Sequence, residues 1–220
     1  MMDLFQRGGP VMWPLLGCSL VALAVTVDRA IFWLRESARR NRALVENVLF
    51  LAEKEAYEEI REKVRGSRDY VVKVLVSGIL HREFSLSAAM EVAAKEQMER
   101  MRRGLAVLDT LVTVAPMLGI LGTVTGLIKA FDLLGSSGFQ DPRVVTIGVA
   151  EALITTVAGL VIAVPCVIFY NFFQKRAEQA ANEMETYGTS LEIVHSKNRH
   201  QGNLGGFFHV PPGSEPERVP

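Results

Sequence analysis

The chain has 220 residues, with 24 basic and 24 acidic side chains and a formal net charge of zero. Apolar residues make up 49% and charged residues 22%, and the two classes are sorted into blocks. Residues 11–27, 110–128 and 152–174 contain no Asp, Glu, Lys or Arg. Runs of roughly 17–25 such residues match a hydrocarbon core of about 30 Å at 1.5 Å per helical residue. An ordinary soluble enzyme is excluded on this pattern. Nucleic acid is excluded as a partner because no basic face or aromatic-interleaved patch is present.

Residues 1–10 form a short lead, with Gly8-Gly9-Pro10 ahead of the first span at 11–34. Ala22-Leu23-Ala24 resembles a signal cleavage site, but the apolar run continues through Ile31-Phe32-Trp33-Leu34. The following Arg35, Arg39, Arg40 and Arg42 hold that end in the cytoplasm, so a retained anchor with its N-terminus outside is expected. Asp28-Arg29 near the inner end can snorkel or pair with each other.

Residues 35–104 are polar and predicted to be a helical cytoplasmic segment. Leu44, Val48 and Leu51 share one face, and Gly66-Ser67 reads as a break. A second stretch puts Val71, Val74, Leu75 and Ile79 together. Ser85 or Ser87 is placed to cap a third helix carrying Met90, Ala94, Met98 and Met101 along one side. Only Gly104 interrupts the pattern beyond it, so a single rod over residues 87–131, roughly 65–70 Å long, is expected. No catalytic constellation appears in this segment, and no enzymatic activity is expected.

Span two covers residues 105–134 and span three 144–174, joined by a loop at 135–143. This loop has no Lys and a single basic residue, Arg143, at its end, whereas Arg100, Arg102, Arg103, Lys175 and Arg176 flank the other ends. The positive-inside rule gives a short outer hairpin and a cytoplasmic C-terminus. Span three is predicted to extend as a polar helix over 175–195. Residues 196–220 are rich in Pro, Gly and charge, and are expected to be a disordered tail. The fold class is thus an all-α membrane protein with three transmembrane helices and long helical cytoplasmic extensions.

Spans two and three differ from plain lipid anchors. Ala115, Gly119, Gly122, Thr123, Gly126 and Ala130 fall on one face of span two, and Ala152, Thr156, Gly159 and Ala163 make a similar stripe on span three. Such stripes let another backbone approach closely. Pro116 and Pro165 each free a carbonyl and bend their helix. Glu151 lies about seven residues inside span three, where an acidic group costs on the order of 2.5–3.5 kcal/mol on insertion scales. Two readings of it stand: a structural carboxylate fixed by a neighbour, or a proton-handling group. Thr155, one turn on and about 40° around the helix, is placed to hydrogen-bond it. Asp109 is expected to pair with Arg102 or Arg103, and Lys129 to reach outward. Cys18 and Cys166 sit in apolar runs, and the histidines are scattered, so no metal or cofactor site is expected.

The run from Val114 to Gly126 (VAPMLGILGTVTG) resembles the A-P-x-x-G-x-x-G-T-V-x-G signature of the MotA/TolQ/ExbB family. Ala150-Glu151-Ala152-Leu153, Thr156, Gly159-Leu160, Pro165 and Tyr170-Asn171 resemble the family's second motif, in the expected order. MotA-type stators are larger and have four spans, so the resemblance is to the ExbB/TolQ type. It implies an inner-membrane, proton-driven motor subunit, multi-pass, with a periplasmic N-terminus. It also implies a homopentamer around two copies of an ExbD/TolR-like single-span protein bearing a transmembrane Asp. Work would pass to a periplasmic domain or to a TonB/TolA-like protein. Carried over by motif, Glu151 is the acidic pore residue and Thr123 and Thr156 are pore hydroxyls. Asp109 departs from the residue expected at its place. A non-conducting scaffold and a sodium-driven stator of the same architecture are the alternatives.

Overall fold

A computed structural model describes residues 8–137 and 142–207, and every regular element among these residues is a helix. In chain order they are α1 (Met12–Arg39), α2 (Arg42–Glu53), α3 (Tyr57–Lys63), α4 (Tyr70–Leu80), α5 (Arg82–Arg102), α6 (Leu105–Ser137) and α7 (Pro142–Phe207). The expected loop centre at 138–141, the first seven residues of the lead and residues 208–220 of the tail lie outside the described residues. The chain divides into two compact units, one of residues 1–37 and 99–178, the other of 38–98 and 179–220.

The first unit contains the stretches long and apolar enough to cross a membrane. Leu15, Ala22, Leu105, Leu108, Leu111, Ala115, Ala163, Cys166 and Phe173 are buried between its helices. Leu23, Leu34, Ile120, Phe131, Leu153 and Ile168 remain exposed on the outside, a surface suited to hydrocarbon. Arg29 is almost wholly buried, and pairs with Asp28 at 2.7 Å. It also donates to the carbonyl of Arg100 at 3.3 Å, so a cation meets the last turn of α5 where carbonyls lack helical partners.

The expected unbroken rod is not formed. Helix α5 ends at Arg102 and α6 starts at Leu105, with Gly104 between them at φ +80°. That left-handed conformation is open to glycine and stops a right-handed helix. A helical hydrophobic pattern does not reveal it, because the pattern resumes after one turn.

The second unit has a compact aliphatic core. Val71, Val74, Leu75 and Ile79 of α4 are all buried, as their spacing predicts. On α2 the buried set is Val45, Val48, Leu51 and Ala52, with Leu44 only half-buried, so the inward face is rotated from the expected one. Ser85, in extended geometry, accepts from the Ala88 amide at 3.3 Å and is the cap within α5. The tail expected to be disordered from Ser196 is helical as far as Phe207. Contacts with a distant segment tie it down: Lys197 pairs with Glu53 at 2.8 Å, and Asn198 donates to the Ala52 and Glu53 carbonyls at the end of α2.

This unit is fastened by a polar cluster around Asp69, which is wholly buried. One carboxylate oxygen caps α4 by accepting from the Val71 and Val72 amides; the other accepts from Arg40 at 2.8 Å and the Asn41 amide at 2.7 Å. Arg40 and Arg42 also donate to Glu183 of α7, each at 3.0 Å, and the Tyr70 hydroxyl donates to the same carboxylate. Burial would raise the Glu183 carboxyl, but the Tyr70 and Arg40 hydrogen bonds and the Arg40 and Arg42 charges outweigh it, and the group is held low. Burial, and the bond to Glu183, push the Tyr70 phenol up.

Asp69→Ala removes the cap and one of the two carboxylates that hold Arg40, leaving Glu183 as the other, so a loss of about 2–3 kcal/mol is expected, read as a lowered Tm of the purified protein. The Glu183 contribution is complete above the ordinary carboxylate value of 4.5, and is lost as pH falls below it through the depressed folded value. Glu183→Gln is expected to lower Tm at neutral pH and to flatten its fall in acid. An acid dependence identical to that of the parent protein would contradict this assignment.

Candidate proton-pathway site

The site lies in the first unit, where α6 and the apolar part of α7 run against each other along their small-residue stripes. A Cβ at Gly119 would stand 3.1 Å from the Thr155 carbonyl oxygen and the Thr156 Cα. One at Gly126 would meet the Gly148 carbonyl at 3.1 Å and Ala152 at 3.2 Å, and one at Gly159 the Ala115 carbonyl at 2.5 Å. At Gly122 it would run into the Thr155 side chain. The two stripes thus fill each other, backbone against backbone, which is how dispersion holds helices together where water supplies no drive. Both helices continue through their prolines, Pro116 in α6 and Pro165 in α7. Each proline lacks the N–H that would bond the carbonyl four residues back.

Close approach decides where the hydroxyls point. Thr155 is 1% exposed and donates to the Ala152 carbonyl at 2.8 Å, with the Gly119 carbonyl of α6 at 3.4 Å. Thr156 donates to the same Gly119 carbonyl at 3.2 Å. Thr123 donates to Ile120 of its own helix at 2.6 Å. A hydroxyl has one proton to give. Thr155 therefore does not donate to Glu151, contrary to the expectation from helical spacing alone. Thr155 and Thr156 are brought together on one carbonyl, while Thr123 turns back on α6.

Glu151 has a different partner. Its Oε1 lies 3.2 Å from the Lys129 ammonium of α6, and its side chain is 22% exposed. Lys129, expected to reach outward, turns to the carboxylate instead. The Glu151 carboxylate also lies against Gly9, whose φ is +67° and where no Cβ would fit. Gly9 starts the turn into α1, its carbonyl accepting from the Met12 amide at 3.2 Å. Lys129 and Gly9 were missed by sequence reasoning. One signal was available for Lys129: it stands eight residues before the end of α6, and Glu151 nine after the start of α7, so antiparallel helices bring them to one height.

Asp109 does not form the expected pair with Arg102 or Arg103; it is exposed, with no ion pair among the described residues. The Gly104 turn explains this, because Arg102 ends α5 and Arg103 lies in the turn, so neither is on the helix that carries Asp109. Among the described residues no group of three His, Cys, Asp or Glu side chains is placed to hold a metal ion.

The seam predicts one result directly. Gly122→Ala forces the Thr155 side chain to move, at about 1–3 kcal/mol, the usual overpacking penalty. A lowered Tm is expected, and Thr155→Ala in the same chain is expected to recover part of it. Full stability of Gly122→Ala alone would contradict the packing described.

Residues 67–186, more than half of the chain, match the MotA/TolQ/ExbB proton channel family. The chain is 36% identical over 203 residues to the biopolymer transport protein ExbB-like 3 of Synechocystis, covering 89% of this chain and 95% of that one. It is 33% identical over 202 residues to ExbB-like 1 of the same organism, covering 89% and 79%. Against the biopolymer transport protein exbB1 of Vibrio cholerae the identity is 27% over 190 residues, with 83% of each chain covered. With three helices long and apolar enough to cross a bilayer, a seam of matched small residues and one carboxylate beside it, this is a multi-pass membrane protein that belongs to the MotA/TolQ/ExbB proton channel family, of the ExbB/TolQ type.

Proposed function

We propose that the chain is the multi-span subunit of a proton-driven motor, and that Glu151 carries protons between the two faces of the membrane. The observation that carries the reading is Glu151 itself: an acidic group inside an apolar span, next to a close-packed helix seam. Thr156, on the seam, and Thr123, on α6 beside Gly122, are the proposed hydroxyls of the path, with Thr155 holding its geometry from within. In the assembly, five copies surround two copies of an ExbD/TolR-like protein with a transmembrane Asp. The complex sits in the bacterial inner membrane, N-terminus periplasmic and C-terminus cytoplasmic. The proton gradient is used to energise a periplasmic or outer-membrane partner, as in TonB-dependent transport, directly or through a TonB/TolA-like protein.

The ion pair with Lys129 favours a second reading, a non-conducting scaffold in which Glu151 fastens α7 to α6. Proteoliposomes holding the complete complex separate the two. Glu151→Gln is expected to reduce proton flux on the order of a hundredfold, as loss of a positioned proton-transfer group does. Equal flux with and without the carboxylate supports the scaffold. Replacing external sodium by potassium at fixed pH is expected to leave the driven work unchanged; its abolition would establish a sodium-driven stator.

A further inference from the structure

Glu151 is held from two sides. On one, the Lys129 ammonium approaches Oε1 at 3.2 Å; on the other, the Gly9 turn lies over the carboxylate with no room for a side chain. Gly8, beside it, packs near Ile154, one turn along α7 from Glu151. The nearby hydroxyls do not compete, since Thr155 and Thr156 give their protons to the Ala152 and Gly119 carbonyls. Lys129 is the hydrogen-bonding partner of Glu151 among the described residues.

Lys129 also has somewhere else to go. Its side chain is half exposed, on a four-carbon stem that reaches several positions from one backbone site. Asp132 stands three residues further along α6, exposed and with no ion pair among the described residues. Positions i and i+3 are neighbours on a helix surface, so one rotation of the lysine stem exchanges one carboxylate for the other. In the pair, Oε1 of Glu151 is taken by the Lys129 ammonium; once the lysine turns away, that oxygen is free to accept another donor.

We propose that Lys129 is a positioning residue that latches Glu151 in a resting state beneath the N-terminal turn, and that its transfer to Asp132 releases Glu151 for proton exchange. The arrangement described is then the closed one. This inference rests on the proton-carrying role proposed for Glu151. It adds a control element of this chain's own: a cation on α6, a waiting carboxylate one turn away, and a glycine whose lack of a side chain lets the turn close.

The test is basal proton flux through the complete purified complex in proteoliposomes, under an imposed potential and with no work being done. Lys129→Gln is expected to raise basal flux about threefold, the size of shift a partly exposed ion pair can hold. Lys129→Arg, which keeps the charge, is expected to bring it back toward the parent level. Lys129→Gln combined with Glu151→Gln is expected to match Glu151→Gln alone, because a latch has no effect when its target is gone. Should Lys129→Gln fail to assemble, Lys129→Met, with a stem of similar shape, carries the same test. Unchanged or lowered flux in Lys129→Gln overturns the latch. So does an Arg variant that behaves like the Gln variant, or an effect that persists without Glu151. Undiminished flux in Glu151→Gln alone contradicts instead the role of Glu151, and the two failures are told apart by that single variant.

Discussion

The distance between the backbones of α6 and α7 governs the rest of the site. Gly119 and Gly159 bring peptide groups of the two helices within van der Waals contact, and Gly122 and Gly126 extend the seam towards the hairpin. At that separation the Gly119 carbonyl comes within reach of two threonine hydroxyls on the other helix. The same closeness fixes the relative heights of the two helices, which is what puts Lys129 level with Glu151. A larger residue at Gly119 or Gly159 would meet backbone of the other helix, which cannot turn aside, and would disturb both arrangements together. In hydrocarbon there is no hydrophobic force to restore them, so shape complementarity is the main source of cohesion.

The two units are held by different physics. The first is largely apolar inside and out along its spans, and Arg29 and Glu151 are each paired there, Arg29 with Asp28 and Glu151 with Lys129. The second is a small globular core of Val, Leu, Ile and Met with a buried ionic cluster at its edge, where Asp69 satisfies four donors at once. Loss of Asp69 would leave its buried donors short of an acceptor, although Arg40 keeps Glu183. This cluster joins the starts of α2 and α4 to the side of α7, so it fixes where those two helices leave it.

Much of this was legible in the sequence, and the parts that were not share a cause. Charge-free blocks mark the spans because lipid penalises each ionised group, and the helices fall on those blocks. Glycine and alanine at helical spacing mark the seam because few other roles need that pattern; Gly119, Gly122, Gly126 and Gly159 meet the opposite helix. What failed was anything set by a single dihedral or a distant partner. Gly104 reads as a tolerated glycine until its positive φ is known. The Thr155 hydroxyl sits at the right spacing for Glu151, yet a carbonyl of its own helix at 2.8 Å takes its proton. Lys129 finds its partner 22 residues away, and Lys197 of the supposed tail finds Glu53. Local spacing says which face a residue is on; it does not say who stands opposite.

If this chain is one part of a driven assembly, the composition of that assembly is the most direct test. The measurement is the native mass of the complex drawn gently from its own membranes through a tag after Pro220, with every companion identified. Five copies of the 24.3 kDa chain together with a small single-span protein bearing a transmembrane aspartate are expected. A homo-oligomer with no such companion would contradict the account, and would leave Glu151 and Lys129 as a structural pair.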